Sequence, residues 1–388
     1  MHVVQSNITG MADELAAEAE ASDAQCRITD KSVRLLRESG VVRMLQPKEY
    51  GGYEAHPREF CETVMELTSK APSIGWVAGV VGVHPFEFGQ ADPRLQEEIW
   101  GEDHDIWTAS PYALIGTARR VDGGFVLNGR WPFSSGTDHC SWVVLGGRAE
   151  GDVPGEFAEP YHFALPRSDY EIVEDSWDVM GLRGTGSKDV IVREAFVPDY
   201  RAIQFSRLNA LEYARTNRPG SPLYRLPWTL FFPTTIIVAT LGIAEGVIHR
   251  FAEYCQVRVN RGGINAIDNP FQMAALGAAS ADIQASRLHV LSDLSALYDR
   301  VLRGEDITSD MQYEARRNQV RATRRASQAA QLVFQHVGGN AARMSNPVQR
   351  FWRDLSVAMG HVANVDDNVY AAHAAHTFGK PVPPGVNI

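Results

Sequence analysis

The sequence predicts an α+β protein in three consecutive parts: a helical domain, a central β-barrel domain and a C-terminal four-helix bundle. Three observations carry this. Apolar residues recur at helical spacing through the first hundred or so positions; β-branched and aromatic runs between glycine turns follow; long helical stretches return after a proline-rich connector. The changes of texture set the boundaries at 1–105, 106–212 and 213–388.

In the first part Leu15, Val33, Leu35, Leu36, Val41, Phe60, Val64 and Leu67 mark apolar helix faces, with loops expected at Pro47 to Gly52 and near Pro72. In the second, Phe125-Val126-Leu127, Trp142 to Leu145 and Val190-Ile191-Val192 read as strands. Turns are expected between them at Asp122-Gly123-Gly124, Asn128-Gly129 and Gly184-Thr185-Gly186. Pro219, Pro222, Pro227 and Pro233 form the connector, and the first bundle helix is expected after Pro233. Asn269-Pro270 is an N-cap and first-turn pair. Leu276, Ile283, Val290, Leu297 and Val301 then share one face up to Gly304. A third helix is expected from Ser309 to Val337, ending at Gly338-Gly339, and a fourth after Asn346-Pro347, the content of an antiparallel bundle.

Composition narrows the function classes. The chain has 388 residues, 44% of them hydrophobic, enough for a large core. Its 37 basic and 47 acidic residues give a net charge of −10, which argues against a nucleic-acid partner. No uninterrupted apolar stretch reaches the roughly 18 residues of a membrane span, and the N-terminal segment lacks a basic, apolar leader, so a cytoplasmic location is expected. Cys26, Cys61, Cys140 and Cys255 form no CxxC pair and read as free thiols. His373 and His376 are three apart beyond Asp366 and Asp367, without the further ligands a metal site needs.

Seven segments together resemble the acyl-CoA dehydrogenase superfamily over nearly the whole chain. They are LQPKEYGG (45–52), SIGWVAGVVGVH (73–84), QEEIWGED (96–103), NGRWPFSSGTDHCSW (128–142), GLRGTGS (181–187), RLPWTLFFPTT (225–235) and NPVQRFWRD (346–354). The likeness is closest to the two-component flavin-dependent monooxygenases, typified by oxygenase subunits that hydroxylate p-hydroxyphenylacetate and a phenolic steroid intermediate. The resemblance implies an aromatic hydroxylase acting through a C4a-hydroperoxyflavin, with reduced FMN or FAD supplied by a separate NAD(P)H-using flavin reductase, and a homotetramer. No dinucleotide-binding fingerprint is present in this chain, in keeping with a separate reductase.

Carried over position by position, the resemblance places Trp76, Ser110-Pro111-Tyr112 and Phe133-Ser134-Ser135 around the flavin ring, with Ser134 or Ser135 protecting the oxygen adduct. Arg258 then reaches the flavin phosphate across a subunit boundary, and Gly339 and Asn340 approach the cofactor closely. Taken alone, these segments also read as a packed turn, a solvated helix-end cation and a helix C-cap. His84 and Tyr112 are expected on the substrate side, where a flat apolar surface suits polycyclic phenols or indoles. His361 is the expected catalytic residue. It precedes Val362, which stands where desaturating relatives carry a glutamate base, and an imidazole can deprotonate a phenol or hydrogen-bond the oxygen adduct. Three other readings stay open: a desaturase using Asp366 or Asp367 as base, an oxygenase of an amino-sugar nitrogen, and a flavin-binding scaffold without turnover.

Overall fold

The computed structural model describes residues 2–150, 157–259 and 262–382. Six helices come first: α1 (Val3–Ala17), α2 (Ala19–Ala24), α3 (Asp30–Ser39), α4 (Pro57–Lys70), α5 (Pro72–Phe88) and α6 (Pro93–Trp100). Their starts follow from local chemistry. Thr29 caps α3 by accepting from the Ser32 amide at 3.0 Å, and prolines fill the first turns of α4, α5 and α6, where no N–H is needed. Pro72 therefore begins a helix rather than lying in a loop. All 17 residues of α5 are buried, and its only titratable side chains are His84 and Glu87. A helix apolar on every side belongs in the middle of a core.

Strands β1 (Thr108–Ala109), β2 (Gly116–Val121), β3 (Gly124–Ser134), β4 (Trp142–Glu150), β5 (Phe157–Pro166), β6 (Glu171–Val173), β7 (Lys188–Pro198) and β8 (Ala202–Gln204) form one mixed sheet. Its order is β6-β7-β3-β2-β4-β5-β8, with β1 parallel to β4. The expected barrel is corrected here to an open sheet: among the described residues no pairing joins β6 to β8. Asn128-Gly129 also differs from expectation, being an irregularity inside β3 rather than a turn. Asn128 Oδ1 accepts from the Glu194 amide of β7 at 2.8 Å, and a Cβ at Gly129 would meet the Trp131 ring at 2.6 Å. Cross-strand bonding and close packing thus override the local turn preference.

Two short helices, α7 (Phe205–Asn209) and α8 (Glu212–Asn217), lead into the bundle of α9 (Trp228–Val257), α10 (Pro270–Leu302), α11 (Ser309–Gln335), α12 (Pro347–Ala358) and α13 (Asp366–Thr377). Helix α9 starts at Trp228 and carries Pro233 inside it, not before it. The proline gives up one backbone bond near the helix start, and packing outweighs that loss: from Thr234 to Ala244 every residue is buried. By length and composition α9 could cross a membrane, but 89% of its most apolar window is buried inside this protein. The Asn269 cap on α10 is as expected, its Oδ1 accepting from the Phe271 amide at 2.9 Å.

The fourth long helix is broken. α12 stops at Ala358 and α13 begins at Asp366, so residues 359–365 are free to carry His361 on a loop. One core cluster runs through all three regions, including Phe60, Trp131, Ile237 and Phe351. The sheet is tied to the bundle where the Leu182 amide donates to buried Asp354 at 2.6 Å, with Gly181 against the Arg353 backbone.

Candidate active site

Helix α5 organises the site. Trp76, Val80, His84 and Glu87 stand at i, i+4, i+8 and i+11 and share one face. From its second half a buried network spreads into three other elements. Tyr112, on the segment after β1, donates its hydroxyl to Glu87 Oε2 at 2.5 Å. The same carboxylate accepts from Trp228 Nε1 of α9 at 3.1 Å and lies 2.6 Å from His162 Nδ1 of β5. Burial opposes ionisation of Glu87, yet His162 and the Tyr112 hydroxyl outweigh it and hold the carboxyl below its ordinary range.

This arrangement sets the tautomer of His84. The Tyr112 proton is committed to Glu87, so the phenol oxygen accepts from His84 Nδ1–H at 3.1 Å. Nε2 then carries a lone pair, and it is buried with no partner among the described residues. Burial holds the His84 imidazole down at about 4, so it is neutral at physiological pH. The His84 ring meets the Tyr112 ring edge-on at 5.7 Å, and behind Tyr112 the Trp228 and Phe232 rings pack at 4.9 Å from it, stacked on each other at 4.8 Å and 5°.

A stability signature follows. An unfolded histidine takes up its proton near 6.5 and folded His84 only near 4, so the unfolded chain binds more protons between those values. Stability is full above that window and falls by about 3 kcal/mol across it from this group, at roughly 1.36 kcal/mol per pH unit. Urea midpoints measured from pH 6.5 down to 4 should show the loss, and His84→Phe should remove this group's share while leaving the like contribution of His361.

At the other end of α5, the tip of β3 turns against the helix. Phe133 adopts a left-handed backbone, φ +69°, rare for a bulky residue, and its ring is exposed. That kink directs Ser134 inward, where its hydroxyl is buried and without a partner among the described residues. Ser135 Oγ bonds Ser187 Oγ at 2.7 Å, and Ser187 bonds Thr185 at 2.6 Å, so Ser135 is held by the glycine-bounded turn before β7. Gly136 has φ +73°, and an added Cβ would lie 2.9 Å from Val77 of α5. Gly136→Ala is expected to lower thermal stability by about 1–3 kcal/mol and to displace this tip. A melting curve unchanged from wild type would refute the packing account.

His361 comes to the same end of α5. Its ring meets the Trp76 ring edge-on at 5.9 Å. It also caps the short turn Val362–Asn364, Nδ1 accepting from the Ala363 amide at 3.1 Å. Burial and the Arg316 guanidinium hold the imidazole down at about 4. With Nδ1 committed as acceptor, the neutral ring carries its proton on Nε2 and presents a donor. Of the two roles expected for His361, hydrogen bonding is the one this tautomer supports. Val362 is exposed beside it. Asp366 is held by Arg324 at 2.6 Å, which keeps its carboxyl below the ordinary range. An acid already neutralised in this way is a poor base.

The remaining expected residues form a separate group. The Arg258 guanidinium lies beside Gly338, at 3.9 Å from where a Cβ would stand. Gly339 is open to solvent, and Asn340 Oδ1 accepts from Arg343. Gly339 precedes the start of α12 and His361 follows its end, so the two stand beyond opposite ends of a helix about 18 Å long, 12 residues at 1.5 Å each. His373 bonds Arg317 at 3.0 Å and His376 bonds Asp310. Sequence reasoning missed Glu87, His162 and Trp228. One signal was present for Glu87: it is the lone acid in a wholly apolar helix.

Comparison with known proteins decides the family. Residues 234–366 match the model of the acyl-CoA dehydrogenase C-terminal domain. A pigment production hydroxylase of Rhodococcus erythropolis is 45% identical over 97% of this chain and 96% of its own. The flavin-dependent monooxygenase oxygenase subunit HsaA of Rhodococcus jostii is 37% identical over 95% and 96%. The chain belongs to the flavin-dependent monooxygenase oxygenase subunits. The crystal structure of a 3-HSA hydroxylase from a Rhodococcus species superposes on this oxygenase with a TM-score of 0.94 at 35% identity, covering 100% of this chain and 99% of that one. Within the oxygenase, the matched dehydrogenase region takes in α9 from Thr234 onward and the loop carrying His361.

Proposed function

We propose that this oxygenase uses reduced FMN or FAD, delivered by a separate NAD(P)H-dependent reductase, to hydroxylate a phenolic or indolic ring, a polycyclic one fitting best. The observation that carries this is the unpartnered His84 Nε2, held as an acceptor by Tyr112 and Glu87 among aromatic rings. A buried acceptor against flat apolar walls suits the hydroxyl or ring N–H of an aromatic substrate.

The residues at the other end of α5 fit a flavin. Trp76 and exposed Phe133 offer apolar surface to a flat ring, while Ser110 and Pro111 precede Tyr112 on the segment that reaches His84. Ser134 offers a hydroxyl without a partner, and His361 offers Nε2–H. Reduced flavin, when bound, supplies the electrons with which dioxygen is activated. The chain's own part is threefold. Trp76 and Phe133 exclude water. Ser134, with Ser135 braced behind it, and His361 would present hydrogen-bond donors to the polar edge of a bound flavin ring. His84 Nε2 would accept a hydrogen bond from the phenolic hydroxyl without taking its proton, since burial disfavours the charged imidazole; that bond orients the ring and raises electron density at the carbon under attack.

The group of Arg258, Gly339 and Asn340 supports a homotetramer. Set beyond the opposite end of α12 from His361, it would serve a neighbouring copy's flavin, and the exposed Val257, Ile264 and Phe271 offer apolar surface for that contact. In the same reading the three parts 1–105, 106–212 and 213–388 are domains that meet at the site.

The test supplies chemically reduced FMN or FAD and ¹⁸O₂ with a panel of polycyclic phenols and indoles. Product carrying one ¹⁸O atom per molecule is expected. Hydrogen peroxide as the only product of dioxygen across the panel, with no substrate oxidised, would overturn the proposal.

A further inference from the structure

A second polar feature lies outside the residues assigned above. Between the start of α9 and the first two turns of α11 runs a groove of about 190 Å³, lined by Thr229, Leu230, Ser309, Gln312, Tyr313 and Arg316. The four α11 residues stand at i, i+3, i+4 and i+7, one helix face. Arg316 is 3% exposed, and no carboxylate pairs with it among the described residues. It donates to Gln319 Oε1 at 2.5 Å and to the Ala363 carbonyl at 3.1 Å, while its buried Nε has no partner there. Desolvating a guanidinium without an anion is costly, and burial lowers its proton affinity here to about 10.

We propose that this groove is a subsite for the carboxylate of an aromatic acid, with Arg316 as its cation. The inference rests on the reading that the oxygenase hydroxylates an aromatic ring, and it adds the substrate's remote group. The groove adjoins both halves of the candidate site: Thr229 follows Trp228, which bonds Glu87, and the Arg316 guanidinium holds the loop two residues beyond His361. The ligand class follows from the donors. The groove holds one cation, the positive end of the 27-residue helix α11, and the hydroxyls of Thr229 and Ser309, a set suited to a single negative charge. Leu230 and the Tyr313 ring, which is stacked on His376 at 4.3 Å, give the apolar flank an aryl or alkyl acid needs.

The test is calorimetric titration of the full chain with 3-(4-hydroxyphenyl)propionate and with its primary amide. Wild type should bind the acid about tenfold more tightly than the amide. Arg316→Met should abolish that preference while leaving amide binding unchanged. Because Arg316 also braces Ala363, the double variant Thr229→Val/Ser309→Ala, which leaves that brace intact, should reduce the preference several-fold if Arg316→Met does not fold. Equal affinity of wild type for acid and amide, or a preference that survives both variants, would overturn the subsite. Binding does not need turnover, so the two readings fail separately. Acid preference without hydroxylation of any aromatic sinks the functional reading alone, and hydroxylation of neutral phenols without acid preference sinks the subsite alone.

Discussion

Replacing Glu87 by alanine is expected to cost about 3–5 kcal/mol of folding stability, the range found when one partner of a buried charged network is removed. The carboxylate is inaccessible and, from α5, serves Tyr112 of the segment after β1, Trp228 of α9 and His162 of β5 together. Its removal strands three buried polar groups in a cavity that none of those elements can close alone. The tautomer of His84 is lost as well: the Tyr112 hydroxyl, no longer committed to Glu87, is free to donate to His84 instead. Glu87→Gln keeps the volume and should cost less, yet still disturb turnover, since an amide presents donors where only acceptors fit. Chemical denaturation of both variants and of Tyr112→Phe measures this. A Glu87→Ala midpoint close to wild type would show that Glu87 is not the hub.

Loss of the His361 imidazole is expected to lower hydroxylation by about 100- to 1,000-fold, the span of a single well-placed hydrogen-bond donor. Flavin affinity in His361→Ala should remain within a few-fold of wild type, because Trp76 and the Phe133–Ser135 tip do not depend on it. The lost turnover should reappear as hydrogen peroxide, since the oxygen being transferred lacks its donor. His361→Gln, whose amide can present an N–H, should recover part of the coupling. A residue that only packs against Trp76 would lower flavin affinity and melting temperature together and leave the ratio of peroxide to product unchanged. Rates, flavin titration and peroxide yield measured on one preparation separate these outcomes.

How far the site could be read from the chain depends on how local each signal is. Asn269 and Thr29 announce helix starts because a cap bonds to amides two or three residues away. Asn128-Gly129 misled for the opposite reason: its bonding partner, Glu194, is 66 residues distant. Pro233 gave the wrong start for α9 because a single backbone bond is small beside the burial of a helix in the centre of the core. The open sheet lay beyond local reading too, since strand content is local and closure depends on whether the two end strands meet.

By itself the sequence determined the α+β order, the segments that identify the oxygenase family, and the presence of His84, Tyr112, Ser134 and His361. Only the tertiary structure decided what those side chains can do. His84 is an acceptor because Glu87 and Tyr112 reach it from other elements, and His361 a donor because its own loop captures Nδ1. The position of a proton on an imidazole is set by the partners of its two nitrogens, and those partners become neighbours only when the chain folds.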